Sequence, residues 1–156
     1  MKGLRTLCSI GLFASLLTSA DTGQAAEATL AAPIDFGSIE LYPGGDTIVI
    51  AAEHGHATPT ASRSVITGGS SGRIRLTSAD VEHVEILYPD SLVLTAGGRQ
   101  VVLTDIGLHS QYNGVGVDLL GGGLPVDVHV GGRLDLRTGG SPGNYSGTMS
   151  LQFNFY

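Results

Sequence analysis

Two stretches of the 156-residue chain carry the Gly-x-Ser-x-Gly spacing of a nucleophile elbow: Gly68-Gly69-Ser70-Ser71-Gly72 and Gly139-Gly140-Ser141-Pro142-Gly143. In that motif a strained strand-to-helix turn lifts a serine oxygen towards a carbonyl carbon. Each stretch here instead precedes alternating apolar and polar residues, the pattern of a strand, so Ser70 and Ser141 read as turn residues. His54-Gly55-His56 would set two imidazoles on one face of extended chain, the minimum geometry for a shared metal. No third ligand is identifiable, and the pair reads as exposed loop histidines. His83, His109 and His129 stand singly at polar positions and read as surface. Asp80, Glu82 and Glu85 lack calcium-loop spacing and fit a solvated strand edge better than an acid/base cluster. Asn144-Tyr145-Ser146 is a formal glycosylation acceptor, but Tyr145 reads as structural, covering one end of a core with its hydroxyl in water. The sequence therefore assigns no catalytic residue, no metal and no cofactor, and the expectation is a protein that is not an enzyme.

The elements around these residues are strands. From Thr148 to Phe155 the odd positions Met149, Leu151, Phe153 and Phe155 are apolar, and Ser150, Gln152 and Asn154 between them are polar. Upstream, Val126, Val128, Val130, Leu134 and Leu136 are even, while Asp127, His129, Arg133, Asp135 and Arg137 are odd. The phase therefore survives Gly131-Gly132. A two-residue hairpin there would set Val130 opposite Arg133 on one face, so the reading is one long strand with a glycine kink. Candidate strands are 34–41, 47–51, 64–67, 73–77, 84–88, 91–95, 100–106, 115–119, 126–137 and 145–155, separated by glycine-rich turns. No window has helical periodicity, so the fold is expected to be an all-β antiparallel sandwich.

The chain opens with Lys2 and Arg5, an apolar run from Leu7 to Leu17, and small residues through Ala20 and Ala25-Ala26. These are the three regions of a secretory signal peptide, too short for a membrane span. The expected organisation is a cleaved leader at 1–25 and one domain at 26–156, with no membrane span in the mature chain. The lone cysteine, Cys8, leaves with the leader, so no disulfide is expected. Removing Lys2 and Arg5 leaves six of eight basic residues, all arginine, against 13 or 14 acids depending on the cleavage point. An acidic surface without a basic cluster argues against nucleic acid and anionic membranes.

Directly after the leader, Ala28, Leu30, Ala32, Ile34 and Phe36 are apolar at even positions, and the phase then passes to Ile39 and Leu41 across Gly37-Ser38. This predicts a strand with a bulge or a change of partner near Gly37. Pro33 has no N–H to give a ladder and must sit at an unpaired position. The segment is either an ordinary first strand or one that seeks a groove elsewhere.

Several motifs in order carry a family resemblance: Asp35-Phe36-Gly37-Ser38-Ile39, Gly68-Gly69 through Ile74, Ile86-Leu87-Tyr88-Pro89-Asp90-Ser91-Leu92-Val93-Leu94, Val130-Gly131-Gly132-Arg133-Leu134-Asp135-Leu136 and Gly143-Asn144-Tyr145-Ser146-Gly147-Thr148. With them the chain resembles a bacterial exported family of unknown function allied to the Mat/Ecp fimbrial major subunit and, more distantly, to spore-coat-U-like pilins. The resemblance implies an immunoglobulin-like, pilin-like sandwich, exported to the periplasm and cell surface as a subunit of a fimbria used in cell adhesion. It also implies a homopolymer built by donor-strand complementation, with a periplasmic chaperone and an outer-membrane usher as partners. Carried over, Ala28, Leu30, Ala32, Ile34 and Phe36 (within 26–36) become the donor strand. Met149, Leu151, Phe153 and Phe155 line the acceptor edge. The alternative is a monomeric exported sandwich that binds glycan or protein through its loops.

Overall fold

The computed structural model describes residues 4–9, 17–19, 27–41, 44–53, 55–60, 64–77, 84–110, 125–136 and 143–155. Among these there is no helix. The strands are β1 (Leu4–Ser9), β2 (Leu17–Ser19), β3 (Glu27–Ala32), β4 (Asp35–Leu41), β5 (Thr47–Ile50), β6 (Ala57–Pro59) and β7 (Val65–Thr67). They continue with β8 (Gly72–Thr77), β9 (Val84–Leu87), β10 (Leu92–Ala96), β11 (Arg99–Ser110), β12 (Val126–Asp135) and β13 (Gln152–Phe155). The largest sheet runs β10-β11-β12-β5-β6, with β8 also on β12 and β3 outside β8. Two three-stranded sheets, β1-β4-β7 and β2-β13-β9, complete the fold. Pairing is antiparallel throughout except between β2 and β13. Phe36 and Ile39 from one sheet, Ile50, Leu76 and Val128 from the largest, and Phe153 from the third join one hydrophobic core. This is the sandwich-like, all-β arrangement that period-two alternation predicts.

The long glycine-kinked strand is β12, and it explains how the main sheet is built. One edge of β12 pairs β11; the other pairs β8 over Val126–Val130 and β5 over Gly132–Asp135. The glycine pair sits where the second edge changes partner. A Cβ on Gly131 would strike the Ile50 carbonyl oxygen and lie 2.6 Å from the Ala52 nitrogen. On Gly132 it would lie 2.8 Å from Leu103 Cδ1. Val126, Val128, Val130 and Leu134 are all buried, so the alternation of the sequence is the alternation of the sheet.

The segment from β3 to β4 divides at Pro33. β3 pairs β8 in the main sheet, whereas β4 pairs β1 and β7 in another, and Pro33-Ile34 carries the chain across between them. The phase change near Gly37 is present, with Phe36 and Ile39 both fully buried. Towards β7 it needs no inserted residue, since the Asp35–Ser70 bridge and the Ser38–Thr67 pair keep one register. Instead Gly37 (φ 70°) on one strand and Gly68 and Gly69 (φ 80° and 94°) on the other turn left-handed in step, a region open to glycine.

The C-terminal alternation also holds, with Met149, Leu151 and Phe153 buried and Ser150 and Gln152 exposed. Residues 145–155 are not one continuous ladder, however. Ser146 bridges Thr95 on β10, and regular pairing starts only at Gln152, against β9. Tyr145 lies deeper than an end cover with a wet hydroxyl, at 1% exposure among the largest buried side chains. The 115–119 strand lies outside the described residues. No strand was expected at β6, a three-residue stretch ending in Pro59.

Candidate functional site

The segment carried over as a donor begins on β3. β3 makes one ladder, to β8, with Ala28 opposite Leu76 and Leu30 opposite Ile74. Ala28 is buried, Leu30 and Ala32 are half-buried, and Glu27, Thr29, Ala31 and Pro33 are exposed. A strand with three alanines, one wet face and a described ladder on one side is held less firmly than a central strand. Ile34 and Phe36, just beyond, are completely buried. Of the five residues carried over as a donor, three thus lie on β3, Phe36 lies on β4, and Ile34 lies at the crossing. Met149, Leu151 and Phe153 belong to the core of the same chain, and among the described residues no ladder joins β3 to β13. The outer edge of β13 pairs β2, and that of β4 pairs β1.

The outward face of β8, β12 and β11 carries a polar row that the sequence does not reveal. Arg75 lies opposite Asp127 and grips it with a fork: Nε donates to Oδ1 at 2.9 Å and Nη2 to Oδ2 at 3.2 Å. The hydrogen bond from Arg75 holds the Asp127 carboxyl below its usual pKa, against the opposing effect of partial burial. The same bond raises the Arg75 guanidinium. Two residues along, His129 faces His109 on one side and Arg73 on the other. Its Nδ1 lies 3.2 Å from Ser71 Oγ, and His109 Nδ1 lies 3.9 Å from Glu53 Oε1. These residues sit at alternate, outward positions, and only the register across three strands brings them together.

Ser70, in the first Gly-x-Ser-x-Gly stretch, is not the turn residue the sequence suggested: it is bridged backbone to backbone with Asp35 at 2.6 and 2.9 Å, in register with the β4–β7 pairing, and β8 follows it as a strand, so no strand-to-helix elbow forms. Ser141, His54, His83, Asp80 and Glu82 lie outside the described residues. His56 is exposed. Among the described residues no group of three His, Cys, Asp or Glu side chains is placed to hold a metal. A shallow cleft of about 170 Å³ opens between the end of β5, the glycine pair of β12 and the facing part of β11, lined by Ala51, Ala52, Asp105, Gly107 and Arg133 among others. Asp105 there takes φ 49° at a break in the β11–β12 register and meets Arg133 at 3.3 Å.

The fold and its edges define a single-chain antiparallel β-sandwich without a recognisable catalytic constellation among the described residues. The chain belongs to the family described as Domain of unknown function (DUF4402), whose model matches residues 24–155. No curated protein and no solved structure matches it.

Proposed function

We propose that this protein is an exported, non-enzymatic structural subunit of a bacterial surface fibre, joined to its neighbours by exchange of the opening strand β3. The observation that carries this is the attachment of β3: an alanine-rich strand, laddered among the described residues to β8 alone and cut off from β4 by Pro33. In exchange, the β3 of one copy lies on the β8 of the next. The ladder bonds and apolar packing that β3 gives up at home are remade on the neighbouring copy, so the swap costs little beyond association. Ala28, Leu30 and Ala32 are the donated side chains; Ile34 and Phe36 stay at home as the anchor. We put the acceptor edge at β8 rather than at the C-terminal strand, because Met149, Leu151 and Phe153 are already covered by their own chain.

Support for export comes from the leader pattern and from a family match that begins at residue 24. Removing a leader would also free the outer edges of β4 and β13, which pair only β1 and β2 there. Open edges of that kind invite a neighbouring strand. The fimbrial likeness of the motifs points the same way, and a chaperone and usher would guard β3 before assembly.

A second reading, a monomeric exported sandwich that binds glycan or protein through its loops, draws on the seating of β3 in its own chain with Ala28 buried. Size-exclusion of the exported protein, heated and unheated, separates the two. Multimers that resolve to monomers on heating support exchange, and a monomer indifferent to added peptide 26–36 supports the second reading.

A further inference from the structure

We propose that His109 and His129 form a surface chelate for a borderline divalent cation, Cu²⁺ in preference to Zn²⁺. The two residues are direct partners in the β11–β12 ladder. Opposite residues share a face with Cβ atoms about 4.5–5.5 Å apart, close enough for two rings to converge on one ion at about 2.0–2.1 Å from each nitrogen.

Ser71 Oγ lies within hydrogen-bond distance of His129 Nδ1 at 3.2 Å, and Glu53 Oε1 lies beside His109 Nδ1 at 3.9 Å, close enough for charge but too far for a hydrogen bond. The Ser71 hydroxyl holds the His129 ring through Nδ1, which leaves Nε2 as the nitrogen a metal takes. Both rings are part-exposed, so an ion can reach them from solvent.

The surrounding charge tolerates a cation. Arg73, opposite His129, lies 3.9 Å from Asp127, and Arg75 is forked onto the same carboxylate. Glu53 adds a further negative group beside His109, on a chain of formal net charge −6. With no three-residue set among the described residues, the remaining coordination positions belong to water. Two neutral imidazoles favour Cu²⁺ over Zn²⁺ by the usual order of divalent affinities. The loop after β5 is drawn to this place, since Gly55 O accepts a bond from the Ser71 N–H at 3.2 Å. The chelate is independent of strand exchange.

Calorimetric titration of the purified protein with CuCl₂ and ZnCl₂ near neutral pH tests it. The expected result is one saturable site per chain, tighter for Cu²⁺, with a raised melting temperature in its presence. His109→Gln and His129→Gln should each weaken binding by about tenfold or more, Glu53→Gln by less, and His56→Gln not at all. Substoichiometric Cu²⁺ should also broaden the imidazole NMR signals of His109 and His129 before those of the other histidines, a readout that needs no variant. The proposal is overturned by the lack of a saturable site, by unchanged affinity in folded His109 and His129 variants, or by broadening that starts at His54 and His56.

Discussion

Gly131 and Ile50 approach backbone to backbone: a methyl group on Gly131 would clash with the Ile50 carbonyl oxygen. This close approach sits where β12 leaves β8 and takes up β5 on the same edge. Gly131→Ala is therefore expected to destabilise the fold by about 1–3 kcal/mol or more, because backbone on both sides must yield. Gly132→Ala meets a movable Leu103 side chain and should cost less. Urea denaturation of the two variants checks the order, and equal losses would contradict it.

Asp127 gives a pH dependence with a definite sign. Its pKa in the folded chain is depressed by the Arg75 hydrogen bond, so its contribution is present above the ordinary carboxylate value and is lost as pH falls through the depressed one. Asp127→Asn should lower the urea midpoint slightly at neutral pH, as befits a part-exposed pair. The gap from wild type should close in acid, below about pH 3.9. A gap that persists or widens in acid would assign the effect to something other than this pair.

Tyr145 is expected to act as a core residue although it lies outside any long ladder. At 1% exposure, truncation in Tyr145→Ala should cost about 3–5 kcal/mol, in the range for large buried aromatics. A thermal melt that shifts by only a degree or two would place the ring at the surface instead.

Deleting residues 26–32 should leave a folded subunit that no longer assembles, since Ile34 and Phe36 remain to fill the core. A synthetic peptide of the same residues should bind the truncated protein and restore its thermal stability. Fibres formed normally by the truncated chain would show that β3 is not the link.

The strands were legible wherever one face is wet and the other dry. The evenness of Val126, Val128, Val130 and Leu134 and the oddness of Met149, Leu151 and Phe153 appear unchanged as burial, and Gly131-Gly132 could be read as a kink because the phase crossed it intact. Pairing was less legible, because it belongs to the tertiary structure. Nothing local says that Ser146 bridges Thr95 while Gln152 waits for Leu87. Nor does periodicity mark a three-residue strand such as β6. The division of the opening segment was half visible: Pro33 forbade a ladder bond, but that the chain changes sheets there depends on what lies beside it. The Ser71–His129 hydrogen bond and the His109–His129 pair join positions 58 and 20 residues apart, and single histidines at polar positions carry no hint of it.

Strand exchange is tested most directly by a cysteine pair across the β3–β8 ladder, at the register partners Glu27 and Thr77. In exported protein carrying Glu27→Cys and Thr77→Cys, the facing positions are close enough for a disulfide. If β3 lies on a neighbour, oxidation yields a ladder of covalent multimers on non-reducing gels that collapses on reduction. If the cross-link forms only within single chains, and the oxidised protein runs wholly as a monomer, the fibre mechanism is contradicted.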